Sequence, residues 1–232
     1  CKLTIDSIKK NSFFKHEIIV HINGKDDETE NYLVRQNIKY TKSSDNIGLC
    51  SSVNTAYKKS TLNFILYSHD DMYFLPGWDK ALNDEVSKLN NDKFYLSLTQ
   101  IAAHGGVKGS MQHIQFDCGD TVENFDELKL LKNFDNFDFN DLQGTHWAPH
   151  LIPKHLWKRV GGFSEEFNPG FASDPDLNFK LWMEGNRIFK SVSKSRVYHF
   201  GSVTTRKNKD IVRNNGKQTF LLKWKMSVEF FT

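Results

Sequence analysis

The chain lacks the run of about 18 apolar residues that a membrane-spanning helix needs, so nothing in its 232 residues reads as a transmembrane segment. No leader peptide is expected from its first residues. It begins with Cys1 rather than Met, and a processed or trimmed N-terminus is expected. Cysteine is scarce: Cys1, Cys50 and Cys118 are three, odd in number and widely spaced. They form no CxxC and no zinc pattern. A reducing compartment is the simplest setting for them, so the expected location is cytoplasmic, or peripheral to a membrane. An excess of one charge is missing too. The 31 basic residues face 28 acidic ones, and a net charge of +3 is too small to argue for nucleic acid. The densest basic stretch, Arg206 to Lys217, reads as solvated surface. Internal repeats and long linkers are absent as well, so one compact domain is expected, with the middle stretch as an elaboration.

What is present describes a globular chain: 38% hydrophobic and 25% charged residues, with 19 Phe and five Trp as core material. Residues 63 to 71 carry the most information. The apolar run Phe64-Ile65-Leu66-Tyr67 reads as a strand buried on both faces, and it ends in Ser68-His69-Asp70-Asp71. Ligands of open α/β sheets bind outside the carboxyl ends of strands. Two adjacent carboxylates repel, and a divalent cation offsets that repulsion; hard oxygen ligands suit Mg²⁺ or Mn²⁺. A solvated turn fits the same residues.

The first half alternates strands and helices. Strands are expected at Glu17 to Ile22, Ile38 to Thr41, Phe64 to Tyr67 and Phe94 to Thr99. Helices are expected around Leu3 to Ile8, at Glu28 to Gln36, at Leu49 to Lys59 and from Pro76-Gly77-Trp78 to about Leu89. This rhythm argues for an α/β protein with a mostly parallel sheet and helices on both faces. It fails from Ile101 to Gly144, where Met111 to Phe116 reads as a strand and Asn133 to Asp141 as either a strand edge or an ordered loop. It resumes at Trp147 to Ile152. A helix follows from Pro153 to Gly161-Gly162, then another at Asp174 to Glu184. Strands at Arg187 to Lys190 and Arg196 to Phe200 precede a last amphipathic helix from about Asp210 to Met226.

Two further groups stand at element ends. Asp174-Pro175-Asp176-Leu177 follows the loop Gly161 to Phe167; acids there serve a helix start equally well. His199 follows a strand and precedes Gly201, where a lone His is often structural. Trp147, with His146 and His150 nearby, offers an aromatic face for a sugar ring, or a core side chain. Trp182 reads as core from its spacing with Leu177 and Leu181. His104 and His113 read as surface histidines.

These segments together resemble family-two glycosyltransferases with the GT-A fold. Glu17 to Val20 followed by Asn23-Gly24-Lys25-Asp26-Asp27 resembles the strand and acidic turn of that family. Asn46-Ile47-Gly48 and Asn54 match its "N-x-G" loop and helix. Ser68 to Asp71 with Pro76-Gly77-Trp78 resembles its "D-x-D" metal motif and the turn after it. Gly161 to Phe167 with Ser173 to Leu177 matches its "G-G-F-D-E-x-F … E-D-x-D-L" block. His199-Phe200-Gly201-Ser202-Val203 resembles its "H-x-G-x-S" element, and Phe220 to Trp224 its terminal "F-x-x-K-W".

The resemblance implies a single GT-A domain with a mixed central sheet, residues 1–100 forming a Rossmann-like nucleotide-sugar half and 101–232 the acceptor half and C-terminal helix. It implies inverting, metal-dependent transfer of a sugar from a UDP-, GDP- or dTDP-linked donor to a hydroxyl of a glycan or lipid-linked acceptor, with Mn²⁺ or Mg²⁺ as cofactor. Asp174 would be the catalytic base. Asp71, Asp70 and His199 would hold the metal. Asn23, Asn46, Gly48, Asn54 and Asp70 would contact the donor, and Trp147, His146 and Asp176 the acceptor. Oligomeric state is left open. The chain departs from the family in four ways: the opening strand has no counterpart, the first metal-motif acid falls at Ser68 or His69, Ser173 replaces a Glu, and His21 and Asn23 stand where a nucleotide-contacting Asp is usual. Two other readings stand beside this one. A sugar-phosphate nucleotidyltransferase would want a Gly-rich phosphate loop, which is missing. A non-catalytic nucleotide- or carbohydrate-binding domain would suit the departures.

Overall fold

Caps and glycines set the element ends. Asp26 accepts a hydrogen bond from the Thr29 amide at 2.9 Å and so caps α2 (Asp27–Arg35), one residue ahead of the expected start. Gly161, at φ 75°, ends α6 (Lys154–Val160) in the left-handed conformation that glycine tolerates. The computed structural model describes residues 1–103, 113–144, 147–201 and 214–231. The readings at His104, His146, Ser202, Val203 and most of the basic stretch fall outside them.

The remaining helices are α1 (Lys2–Asn11), α3 (Leu49–Tyr57), α4 (Trp78–Val86), α5 (Glu127–Asn133), α7 (Ser173–Met183), α8 (Gly216–Trp224) and α9 (Val228–Phe231). The strands are β1 (Ile19–Asn23), β2 (Lys39–Ser43), β3 (Phe64–Tyr67), β4 (Met72–Phe74), β5 (Tyr95–Ala102), β6 (His113–Gln115), β7 (Leu142–Gln143), β8 (His150–Pro153) and β9 (Phe189–His199). β1 and β2 form a parallel pair. The main sheet runs β3-β8-β5-β9-β4, with β6 added to β5 and β7 to β9.

The α/β class and the flanking helices match expectation, but the sheet is more mixed than the rhythm suggested. In the main sheet β5 runs parallel to β9 and β6, whereas β3·β8, β5·β8, β4·β9 and β7·β9 are antiparallel. The parallel pair β1·β2 comes from the helix-linked first half; parallel neighbours need such crossovers, and the later strands are not all joined that way. β3 also departs from its reading. It lies at the edge of the main sheet with Phe64 47% exposed, and the strands buried along their whole length are β4 and β5.

The two strands expected at 187–200 are one strand with a bulge. Val192 pairs with Leu98 and Arg196 with Thr99, so three residues of β9 loop out. That bulge explains the Phe-rich stretch after α5, which is an ordered loop rather than a strand edge. Buried Arg196 donates to the carbonyls of Phe134 and Phe137, the latter at 2.8 Å, and to Ser193 at 2.8 Å. Phe134, Phe137 and Phe139 then pack over Ile101, Tyr198 and Phe200. A second cluster on the sheet joins Tyr67 and Tyr95 to Trp157, Phe163, Leu177 and Phe220, so both halves of the chain share one core. No helix among the described residues is long and apolar enough to cross a membrane.

Candidate active site

Sheet register builds the first cluster. Met72 on β4 pairs with His199 on β9, and the Phe200 amide donates to the Asp71 carbonyl at 3.1 Å. This brings Asp71 Oδ1 to 3.4 Å from His199 Nε2. The chain bends at Asp70 and Asp71 between β3 and β4, and His69 joins Asp71 in the cluster. Ligand-competent atoms of His69, Asp71 and His199 all lie within 4.8 Å of one another. Burial lowers the His69 pKa and keeps the ring neutral, the form that ligates metals. His199 Nε2 is buried with no hydrogen-bond partner.

Asp70 falls outside this cluster. Its side chain is 71% exposed and it is not part of the cluster, while its carbonyl accepts from Thr4 Oγ1 at 2.7 Å. His69, rather than Asp70, is the partner of Asp71. The "x" between them preserves the two-residue spacing of the metal motif, and that spacing was the available signal in the sequence.

The second cluster surrounds Asp174, in the first turn of α7. A helix N-terminus lowers an acid's pKa, but burial wins here and holds Asp174 up at about 7. Its Oδ1 is buried without a hydrogen-bond partner and lies 4.0 Å from His150 Nδ1. His150 cannot supply an opposing charge at neutral pH, since burial and then His69 push its pKa down to about 3. His150 is placed by register, opposite Tyr67 of β3 and Ser97 of β5, with Tyr95 Oη 3.0 Å from its Nδ1. Tyr67 bridges the two clusters, its ring centroid 5.5 Å from that of His69 and 5.3 Å from that of His150. Sequence reasoning treated His150 only as an aromatic neighbour of Trp147.

The donor-side residues divide. Asn23 and Asn46 meet at the carboxyl ends of β1 and β2. Asn23 donates to Asn46 Oδ1 at 2.8 Å, Asn46 Oδ1 also accepts from the Gly48 amide at 2.9 Å, and both side chains are exposed. Asn54 is a correction. Its amide donates to the Phe163 carbonyl at 2.8 Å and accepts from the Phe163 amide at 3.0 Å, so it joins α3 to the 161–167 loop instead of facing a ligand. Asn168 does the same work from the other side, bonding the Cys50 amide at 2.9 Å and Ser51 Oγ at 2.8 Å. Gly48 and Gly162 make room for these two asparagines: a Cβ on either, at φ 80° or 67°, would come within 2.4 Å of the asparagine oxygen.

Asp176 is the other correction. It is fully buried and its oxygens accept from Ser164 at 2.6 Å, Trp224 Nε1 at 2.8 Å and Lys223 at 2.9 Å. It fastens α8 to α7, and these partners take up its carboxylate oxygens. The alternation of the helix explains the split: Asp174 and Asp176, two residues apart, cannot share a face. Asp176→Asn is therefore expected to cost about 3 kcal/mol of stability in chemical denaturation, because it strips the buried partner from Lys223. Unchanged stability with a raised acceptor KM would restore the acceptor role. Trp147 is partly buried just before β8.

A central mixed sheet flanked by helices is the architecture of GT-A glycosyltransferases, and similar solved structures are of that kind. Residues 2–155 match the sequence profile "Glycosyl transferase family 2", and the chain belongs to that family. S. aureus TarS 1-349 superposes with a TM-score of 0.59 at 18% identity, over 85% of this chain and 56% of that one. GalNAc-T7, solved with UDP, GalNAc and Mn²⁺, gives 0.62 at 15%, over 92% and 41%. The mannosyltransferase PcManGT from Pyrobaculum calidifontis, with GDP-Man and Mn²⁺, gives 0.56 at 15%, over 85% and 52%. The chain thus spans about half the length of these structures. No curated protein matches it in sequence.

Proposed function

We propose that this chain transfers a sugar, with inversion, from a nucleotide-diphosphate sugar to an acceptor hydroxyl, and that transfer depends on a divalent cation. The observation that carries the reading is the pairing of two groups across Tyr67: a cluster of two imidazoles and a carboxylate, and a buried carboxyl held near neutrality. Asp174, when ionised, takes the proton of the acceptor hydroxyl as its oxygen attacks the anomeric carbon. The bond to the diphosphate breaks on the opposite side, which inverts the centre. His150, neutral and buried, shields that carboxylate from water without pairing with it.

The residues at the first cluster fit a cation. A lone pair on His199 Nε2 facing a carboxylate oxygen at 3.4 Å is an arrangement that a shared cation stabilises. His69, Asp71 and His199 would hold it, and the two imidazoles favour Mn²⁺ over Mg²⁺. When bound, such an ion offsets the charge that grows on the diphosphate. Asn23, Asn46 and Gly48, with exposed Asp70, stand where the donor nucleotide would lie. UDP, GDP or dTDP donors and a glycan or lipid-linked acceptor remain the proposed partners. The family assignment, and the UDP- and GDP-sugar complexes among similar structures, support this reading.

Calorimetric titration with UDP-, GDP- and dTDP-sugars, with and without Mn²⁺, tests it. At least one donor should bind, and bind tighter with the ion. Failure of all donors under both conditions would overturn the proposal, and metal-dependent binding without transfer to any acceptor would reduce the chain to a binding domain.

A further inference from the structure

Gln100 lies on β5 behind the imidazole–carboxylate cluster, 5% exposed. Register sets its neighbours, for it pairs with His113 on β6 and with Val197 on β9, two residues before His199. Its Nε2 donates to the Ala148 carbonyl at 2.5 Å. A carbonyl only accepts, so this contact decides which end of the amide is nitrogen. Oε1 then faces two rings: His199 Nδ1 at 2.9 Å and His113 Nε2 at 2.8 Å. An amide oxygen also only accepts, so each ring must present an N–H to it. In a neutral His199 the single proton therefore sits on Nδ1, which leaves a lone pair on Nε2. That nitrogen is the buried atom without a hydrogen-bond partner, aimed at Asp71.

We infer that Gln100 is a positioning residue for the cation site: its amide, oriented by Ala148, locks His199 in the tautomer that offers Nε2 as a ligand. The order of fixation runs outward from the backbone. The Ala148 carbonyl orients the amide, the amide selects the ring proton, and the ring presents its free nitrogen beside Asp71. His113 shares the same oxygen and helps hold it in place, and so gains a role beyond the surface position expected for it. The inference rests on the cation reading proposed above. The rival arrangement is a doubly protonated His199 in an ion pair with Asp71, with no ion needed.

Two measurements separate these. Long-range ¹⁵N–¹H spectra of the metal-free protein, with His199 assigned by comparison with His199→Asn, should show the neutral form of the ring protonated on Nδ1 rather than on Nε2. Calorimetry with Mn²⁺ should show affinity about 10- to 100-fold weaker in Gln100→Leu than in the wild type, the range typical when a group orienting a metal ligand is removed. The same spectra of Gln100→Leu should show the Nδ1 preference of His199 lost, whereas a purely structural role would leave the tautomer unchanged. A His199 ring protonated on Nε2, or Mn²⁺ affinity unchanged in Gln100→Leu, overturns the inference. If the wild type binds no Mn²⁺, the cation reading itself fails, while the wrong tautomer with Mn²⁺ binding intact removes only the role of Gln100. The wild-type spectrum decides even if the Leu variant does not fold.

Discussion

Asparagine in place of Asp174 is expected to cut sugar transfer about 10²- to 10⁴-fold, the usual share of a positioned general base. The variant should fold, because Asn fills the same space and Asp174 Oδ1 has no hydrogen bond to lose. The pH dependence gives a second signature. Only the ionised carboxyl can accept a proton, so wild-type turnover should rise with pH through about 7, and this limb should vanish in the variant. Stability should move the opposite way. A carboxyl whose pKa is raised on folding contributes most when it is protonated, and the contribution fades as pH climbs from the ordinary carboxylate range to about 7. At pH 8 the Asn variant should therefore be more stable than the wild type, by roughly 2 to 4 kcal/mol; the 18% exposure of the side chain argues for the lower end. Near-normal transfer by purified Asp174→Asn would remove this residue from the mechanism.

Asp71→Asn should be nearly as severe. It takes the one carboxylate from the cluster and leaves two imidazoles to hold the ion. Mn²⁺ affinity, read from the electron paramagnetic resonance of the free ion, should fall at least about 10²-fold. Turnover at limiting Mn²⁺ should fall with it, because several kcal/mol of charge neutralisation at the leaving group is lost. Chelation of the wild type should reproduce the defect, and added Mn²⁺ should reverse it. Asp70→Asn is the matched control: one residue away, it should leave Mn²⁺ affinity near normal because its side chain faces solvent. A larger effect at Asp70 than at Asp71 would show that the cluster has been assigned to the wrong acid.

Both predictions concern residues that motif order had singled out, and the local structure at strand and helix ends was the legible part of this chain. The Asp26 cap, the Pro76-Gly77-Trp78 turn into α4 and the acids that open α7 are local features, written in neighbouring residues. What sequence could not carry was long-range bonding. Asn54 and Asp176 have the residue types and positions of ligand-contacting groups, yet Phe163 takes the first and Ser164, Lys223 and Trp224 the second. Their roles depend on partners as many as 109 residues away. The edge position of β3 likewise depends on β8, more than 80 residues later. His69 was readable in principle from its spacing to Asp71, but an acid was expected in its place. Gln100 left no trace in the sequence, since nothing local marks an amide that will meet two imidazoles on other strands.

The two asparagine bridges have a mechanical consequence. Asn54 and Asn168 reach in opposite directions between α3 and the 161–170 segment, and two glycines are hollowed out to receive them. Four hydrogen bonds thus rivet α3 to the approach of the helix that bears Asp174. Such a joint resists any hinge between α3 and the start of α7. On the donor and acceptor roles proposed above, the two sides of the site would keep a fixed spacing before any substrate arrives.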